Sequence, residues 1–227
     1  MCECSKETTF EILDDFHSVG GSFIDTANIY QAEESETTKS MVLSLEASLK
    51  KLQTNYVDVF YVHFWDFTAS VEEVMESLNM LADQGKILYL EVSDTPAWIV
   101  SKANQWARDH GLRQFSVYQG NWSAASRDME REIIPTCEAE RMGICPWGAL
   151  GGGNFKTEEQ NQSKKGRKQG GLSETDIKVS KVLEKIGIEK GTVITSIALA
   201  YAMAKTPNVF PIVGGRKIEH RDYPEGH

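Results

Sequence analysis

The chain is poor in positive charge. Its 227 residues carry 24 Lys and Arg against 33 Asp and Glu, a formal net charge of −9. Phosphate backbones and anionic lipid surfaces need a basic face, so nucleic acid and membrane partners are not expected. No apolar run approaches the ~18 residues of a membrane-spanning helix. The first residues, MCECSKETTF, lack the apolar core of a secretory leader. Cysteine is scarce, with four in all: Cys2, Cys4, Cys137 and Cys145. Cys2 and Cys4 form a C-x-C pair without a second ligand pair nearby, so no metal site is expected, and reduced thiols in a cytoplasmic protein are. No G-x-G-x-x-G turn follows an early strand, which argues against a doubly wound dinucleotide-binding sheet. What remains is ordinary: 41% hydrophobic and 25% charged residues, enough for one domain over residues 1–227 with a substantial core.

Short β-rich runs alternate with helical patterns. Strands are expected at Ser22–Thr26, Val57–His63, Ile87–Val92, Phe115–Gln119, Ile144–Trp147 and Val209–Val213. Helices are expected at Thr8–His17, Met41–Leu52, Val71–Gln84, from Pro96 to His110, and at Asp128–Arg141, Glu174–Ile186 and Thr192–Ala204. A Gly- and Lys-rich loop spans residues 151–171, and its KKGRK run reads as solvated. Strand–helix alternation implies a parallel sheet. Polar residues recur at the C-terminal ends of the strands: Asp25, His63, Ser93 and Asp94, Gln119, Trp147, and Gly214 to Lys217. That recurrence points to a (β/α)₈ barrel of the TIM type, whose sites lie on that face. Only about six strands are legible, so the barrel is expected to be incomplete. Unpaired strand edges then predict marginal stability and self-association, as in a homo-oligomer.

Two motifs carry chemistry. GGSFIDTANIY (Gly20 to Tyr30) offers a carboxylate and a phenol, and YVDVFYVHFWD (Tyr56 to Asp66) offers an imidazole. Thirty-two residues lie between Tyr30 and His63, room for one helix and no further strand. Trp65 and Trp122 fall just past strand ends, where they either line a substrate pocket or pack in the core.

Together with LKKLQTNYVDVFYVHFWD, VEEVMESLNMLADQGKILYLEVSDTPAW, FSVYQGNWS, REIIPTCEAERMGICPWGALGGG and NVFPIVGGRKIEH, these stretches resemble the aldo-keto reductases, and within them the fungal aryl-alcohol dehydrogenase and norsolorinic acid reductase group. The resemblance is collinear over nearly the whole chain. It implies NADP(H) as cofactor, hydride transfer between aryl or other carbonyls and alcohols, and a small-molecule substrate. It implies catalytic roles for Asp25, Tyr30 and His63. It further implies that Ser93, Asp94 and Gln119 hold the nicotinamide carboxamide, that Trp147 stacks on the ring, that Gly151 and Gly152 approach the pyrophosphate, and that Gly215, Arg216 and Lys217 face the 2′-phosphate. A phenol of pKa near 10 works at neutral pH only if neighbours tune it, which is the task of the family's lysine.

No lysine of this chain takes that place. Lys39 precedes a helix, and Lys50 and Lys51 lie within it. Glu91 stands where the family usually has glycine, and a buried carboxylate in a barrel strand is costly unless paired. Relative to the family, the opening strand, one internal helix–strand unit and the closing helix are missing. These departures keep two further readings open beside the oxidoreductase: a non-catalytic nicotinamide-binding or regulatory barrel, and a truncated inactive product.

Overall fold

The computed structural model describes residues 5–27, 38–157, 159–160 and 172–215. Seven helices and four strands follow one another among them: α1 (Lys6–Ser18), α2 (Thr38–Leu52), β1 (Val57–Val62), α3 (Val71–Asp83), β2 (Ile87–Ser93), α4 (Ala97–His110), β3 (Phe115–Asn121), α5 (Ile133–Glu140), β4 (Gly143–Trp147), α6 (Glu174–Lys190) and α7 (Ile194–Lys205). The strands form one parallel sheet in the order β1-β2-β3-β4. Each neighbour is the next in sequence, with a helix between, as in an arc of a (β/α)₈ barrel.

Two expected strands change character. Ser22–Thr26 forms no regular strand. A strand is defined by its partner's hydrogen bonds, and β1 offers this segment no ladder. Val209–Val213 makes only one bridge, Val209 to Ile144. Its backbone nevertheless runs beside β4: Ile144 N donates to Asn208 O at 2.9 Å, Phe210 N to Ile144 O at 2.8 Å, and Ile212 N to Pro146 O at 2.9 Å. The arc therefore has four strands and a fringe, not six strands. The helix expected at Asp128–Arg141 is split. A 3₁₀ turn at Asp128–Glu130 precedes α5, and Pro135 lies in the first turn of α5, where its missing N–H costs nothing.

The helices sit where their caps and apolar stripes put them. The Ser70 side chain accepts from Glu73 N at 3.1 Å and starts α3, with Glu72 and Glu73 in the positive first turn. Val71, Val74, Met75, Leu78 and Leu81 then recur at helical spacing and are all buried. Gly111, at φ 67°, closes α4 in the left-handed conformation.

Two buried asparagines fasten helices to the sheet. Asn104 of α4 accepts from Phe115 N at 2.8 Å and donates to Phe115 O at 3.3 Å. Asn79 of α3 does the same for Arg113, at 2.8 and 3.2 Å. Both satisfy backbone groups at the entrance to β3, which α-helical packing alone would leave unpaired. On the sheet's outer face, Val62, Leu90, Val92, Phe115, Tyr118 and Ile144 join these helices in the main core. A smaller core of Phe155, Leu183, Ile194 and Ala198 holds α6 and α7 to the loops beyond β3 and β4. α1 buries none of its residues, and Phe10 is half exposed.

Candidate active site

Alternation along each strand decides which side chains meet. Residues two apart share a face, so Tyr61 accompanies His63, Glu91 accompanies Ser93, and Cys145 accompanies Trp147. Register completes the set. Tyr61 pairs with Glu91, Ser93 with Gln119, Gln119 with Cys145, and Asn121 with Trp147. These residues form the inner, concave face of the arc, with the polar ones toward the strands' C-terminal ends.

The structure brings Asp25 to this face. Gln119 Nε2 donates to Asp25 Oδ1 at 3.3 Å, across 94 positions of sequence. Burial raises the Asp25 carboxyl above its usual range, while the Gln119 hydrogen bond and nearby His63 draw it down. His63 also acts on Asp94, whose carboxyl is raised by burial and lowered by the indole N–H of Trp147, 3.3 Å from Oδ2. Asp94 has a φ of 40°, rare for a residue with a Cβ. Its N–H donates to Gln119 O at 3.1 Å, so the strained turn is held by the neighbouring strand. Ser93 is buried at the end of β2. Asp25, His63, Ser93, Asp94, Gln119 and Trp147 thus gather at one end of the sheet. Tyr30, Arg216 and Lys217 lie outside the described residues, as do Cys2 and Cys4. Gly215 is described and exposed.

Beside Trp147 opens a cleft of about 610 Å³, lined by Asn121, Ser123, Gly148, Gly151, Gly152 and Thr175 among others. Here glycine is required. Gly151 and Gly152 have φ of 64° and 61°. A Cβ on Gly151 would stand 2.8 Å from the Phe155 ring, and one on Gly148 2.8 Å from Asn121 Oδ1. Bare backbone is therefore presented to the cleft. Asp176 reaches its rim, but its carboxylate is spent on the cap of α6, accepting from Ser173 N at 3.1 Å, Ser173 Oγ at 2.8 Å and Asn154 at 3.3 Å.

Glu91 is buried as its strand position implied, and Tyr61 and Cys145, which the sequence did not single out, lie with it on the inner face. Glu91 is 2% exposed, and Tyr61 lies across from it. Burial lifts the Glu91 carboxyl to about 7, Asp25 adds to the rise, and the Tyr61 hydroxyl opposes it. Burial and Glu91 push the Tyr61 phenol far above its usual range. Cys145, from the next strand but one, is raised to about 12 by burial and by Glu91. The signal for Tyr61 was available: it stands two residues before His63. Trp65 and Trp122 resolve as core. Trp122 is fully buried, with its indole N–H on Glu130 Oε1 at 3.2 Å, and Trp65 is 7% exposed. A pocket-lining role fails for Trp122 because its ring has no open side.

The aldo/keto reductase family model matches residues 34–222. The chain belongs to the aldo/keto reductase family. Its fold is accordingly that of the family's (β/α)₈ barrel, of which the described residues form a four-stranded arc. Norsolorinic acid reductase B of Dothistroma septosporum is 52% identical over 263 residues, spanning 96% of this chain and 67% of that protein. The corresponding reductase of Aspergillus parasiticus is 49% identical, over 96% and 69%. The aryl-alcohol dehydrogenase [NADP(+)] of Phanerodontia chrysosporium is 44% identical, over 97% and 71%. Ninety-six per cent of 227 residues is about 218, yet the Dothistroma match runs over 263, so about 45 of its positions have no counterpart within the matched span. That deficit is on the order of one helix–strand unit of such a barrel.

Proposed function

We propose that this aldo/keto reductase binds NADP(H) along the C-terminal edge of its sheet and interconverts an aryl or other aldehyde or ketone with its alcohol. The observation that carries this reading is the Gln119–Asp25 hydrogen bond, which joins the D-T-A segment to the strand end assigned to the nicotinamide. The glycine cradle fits a dinucleotide's pyrophosphate, since a Cβ at Gly148 or Gly151 would intrude on its wall. Ser93, Asp94 and Gln119 would hold the carboxamide, Trp147 would cover the ring, and Gly215, Arg216 and Lys217 would take the 2′-phosphate, for which a guanidinium fork is well shaped. When bound, the nicotinamide supplies or accepts the hydride.

The chain's own groups handle the proton. Tyr30 donates it to the carbonyl oxygen in reduction and takes it back in oxidation. His63 orients that oxygen, and Asp25 carries the charge that balances the site. Self-association through the outer edge of β1 belongs to the same reading.

A second reading is favoured by one observation. Among the described residues, what shifts Asp25 is burial, Gln119 and His63, with no ammonium among them. In this reading no group of the chain takes the place of the family lysine that would lower the Tyr30 phenol, and the chain would bind dinucleotide without turning over. Fluorescence titration with NADPH followed by an aryl-aldehyde assay separates the two. Saturable binding with turnover that Tyr30→Phe abolishes supports the oxidoreductase. Binding without turnover selects the non-catalytic barrel, and no binding of either NADPH or NADP⁺ overturns both.

A further inference from the structure

The inner face of the arc holds one buried acid to which the reaction above gives no role. Glu91 is 2% exposed, and its Oε2 atom has no hydrogen-bond partner. Tyr61 Oη faces it across the strand pair and is buried as well. Among the described residues, three segments bring titratable groups against Glu91: Tyr61 from β1, Asp25 from the segment after α1, and Cys145 from β4. Neither the phenol nor the thiol is ionised near neutrality, since burial drives both upward. Asp25 is the facing carboxyl whose charge adds to the rise, and among the described residues no cation is among the groups that act on Glu91. Two carboxyls close together in a buried site do not both ionise readily. Glu91 also lies two residues before Ser93 on the same strand face, one layer beneath the position assigned to the nicotinamide carboxamide.

We propose that Glu91 is a proton-linked positioning residue that sets which redox form of the nicotinamide the site prefers. This rests on the NADP(H) reading above. The oxidised ring carries a positive charge and the reduced ring is neutral. An ionised Glu91 beneath the ring attracts the oxidised form and is indifferent to the reduced one, whereas a protonated Glu91 discriminates between neither. Raising the pH through neutrality therefore biases the site toward the oxidised dinucleotide, the form that alcohol oxidation consumes. One charge gained beneath the ring, at an effective dielectric constant near 20, changes the preference by roughly tenfold.

The test is a pair of titrations, NADP⁺ and NADPH, at pH 6 and pH 8, on the wild-type protein and on Glu91→Gln. The ratio of the NADPH to the NADP⁺ dissociation constant is expected to rise about tenfold from pH 6 to pH 8 in the wild type. In Glu91→Gln it is expected to stay level. A second readout needs no ligand. Glu91 ionises later in the folded chain than in the unfolded one, so wild-type stability falls relative to Glu91→Gln as pH rises from about 4.5 to about 7. A binding ratio with the same pH dependence in both proteins overturns the proposal while leaving the NADP(H) reading intact. Failure of both proteins to bind either dinucleotide overturns the two together. A ligand-free stability difference that does not change with pH shows Glu91 to be merely structural and also overturns it.

Discussion

Replacing Glu130 with Gln tests how the wall of the cleft is held. Glu130 ends the 3₁₀ turn after β3 and is a hub of four partners. Trp122 Nε1 donates to it at 3.2 Å, Arg127 at 3.0 and 2.6 Å, and Tyr201 Oη at 2.5 Å, while Lys205 stands 3.4 Å away. Arg127, together with the hydrogen bonds from Tyr201 and Trp122, holds its carboxyl down at about 2, against an ordinary 4.5. A shift of that size is worth about 3 kcal/mol if fully expressed. Arg127 and Lys205 are 55% and 41% exposed, however, so solvent screening reduces the contribution to about 1–2 kcal/mol. The sign follows from the direction of the shift. Because the folded-state pKa is depressed, the stabilisation is fully present above about 4.5 and is lost as pH falls toward 2. Glu130→Gln keeps the shape and removes the charge. At pH 7 its urea unfolding free energy should drop by about 1–2 kcal/mol, a few degrees in Tm for a chain of this size. Trp122 fluorescence reports the same transition from within the hub. Ser123, Ala125 and Ser126 line the cleft between Trp122 and Glu130, so dinucleotide affinity should weaken in parallel. A variant as stable as wild type at pH 7, or a difference that persists undiminished near pH 2, would refute the electrostatic account of the hub.

Asn104→Ala should cost about 2–4 kcal/mol, because it strands the buried N–H and C=O of Phe115 at the start of β3; a chemical unfolding curve shifted by less than half a kilocalorie would show that α4 adjusts. Gly151→Ala should lose about 1–3 kcal/mol, from the left-handed backbone and from contact with the buried Phe155 ring. The same variant should bind NADPH more weakly in fluorescence titration, and unchanged affinity would remove Gly151 from the cofactor path.

Much of the architecture was legible because its causes are local. α3 and α4 are written in their caps and stripes: Ser70 before an acidic first turn, Gly111 after the last. The parallel βα alternation followed from lengths and periods alone. The strands at Ser22–Thr26 and Val209–Val213 were read as regular for the same local reasons. They are not regular, because a strand exists only through its neighbour. β1 presents no ladder to the first, and β4 takes up the second with a single bridge and a few further hydrogen bonds.

The site divides along the same line. Asp25, His63, Ser93, Asp94, Gln119 and Trp147 were recognisable as strand-end residues, and the short interval before His63 already indicated a missing unit. By itself the sequence determined the family, the order of elements and the identity of the strand-end groups, since each depends on residue types and spacing along the chain. Only the tertiary structure decided that Gln119 holds Asp25, that Trp122 is sealed by Glu130, and that Glu91 meets Tyr61 in a buried layer beneath the site. Those outcomes depend on strand register and burial, which are set by groups far apart in sequence.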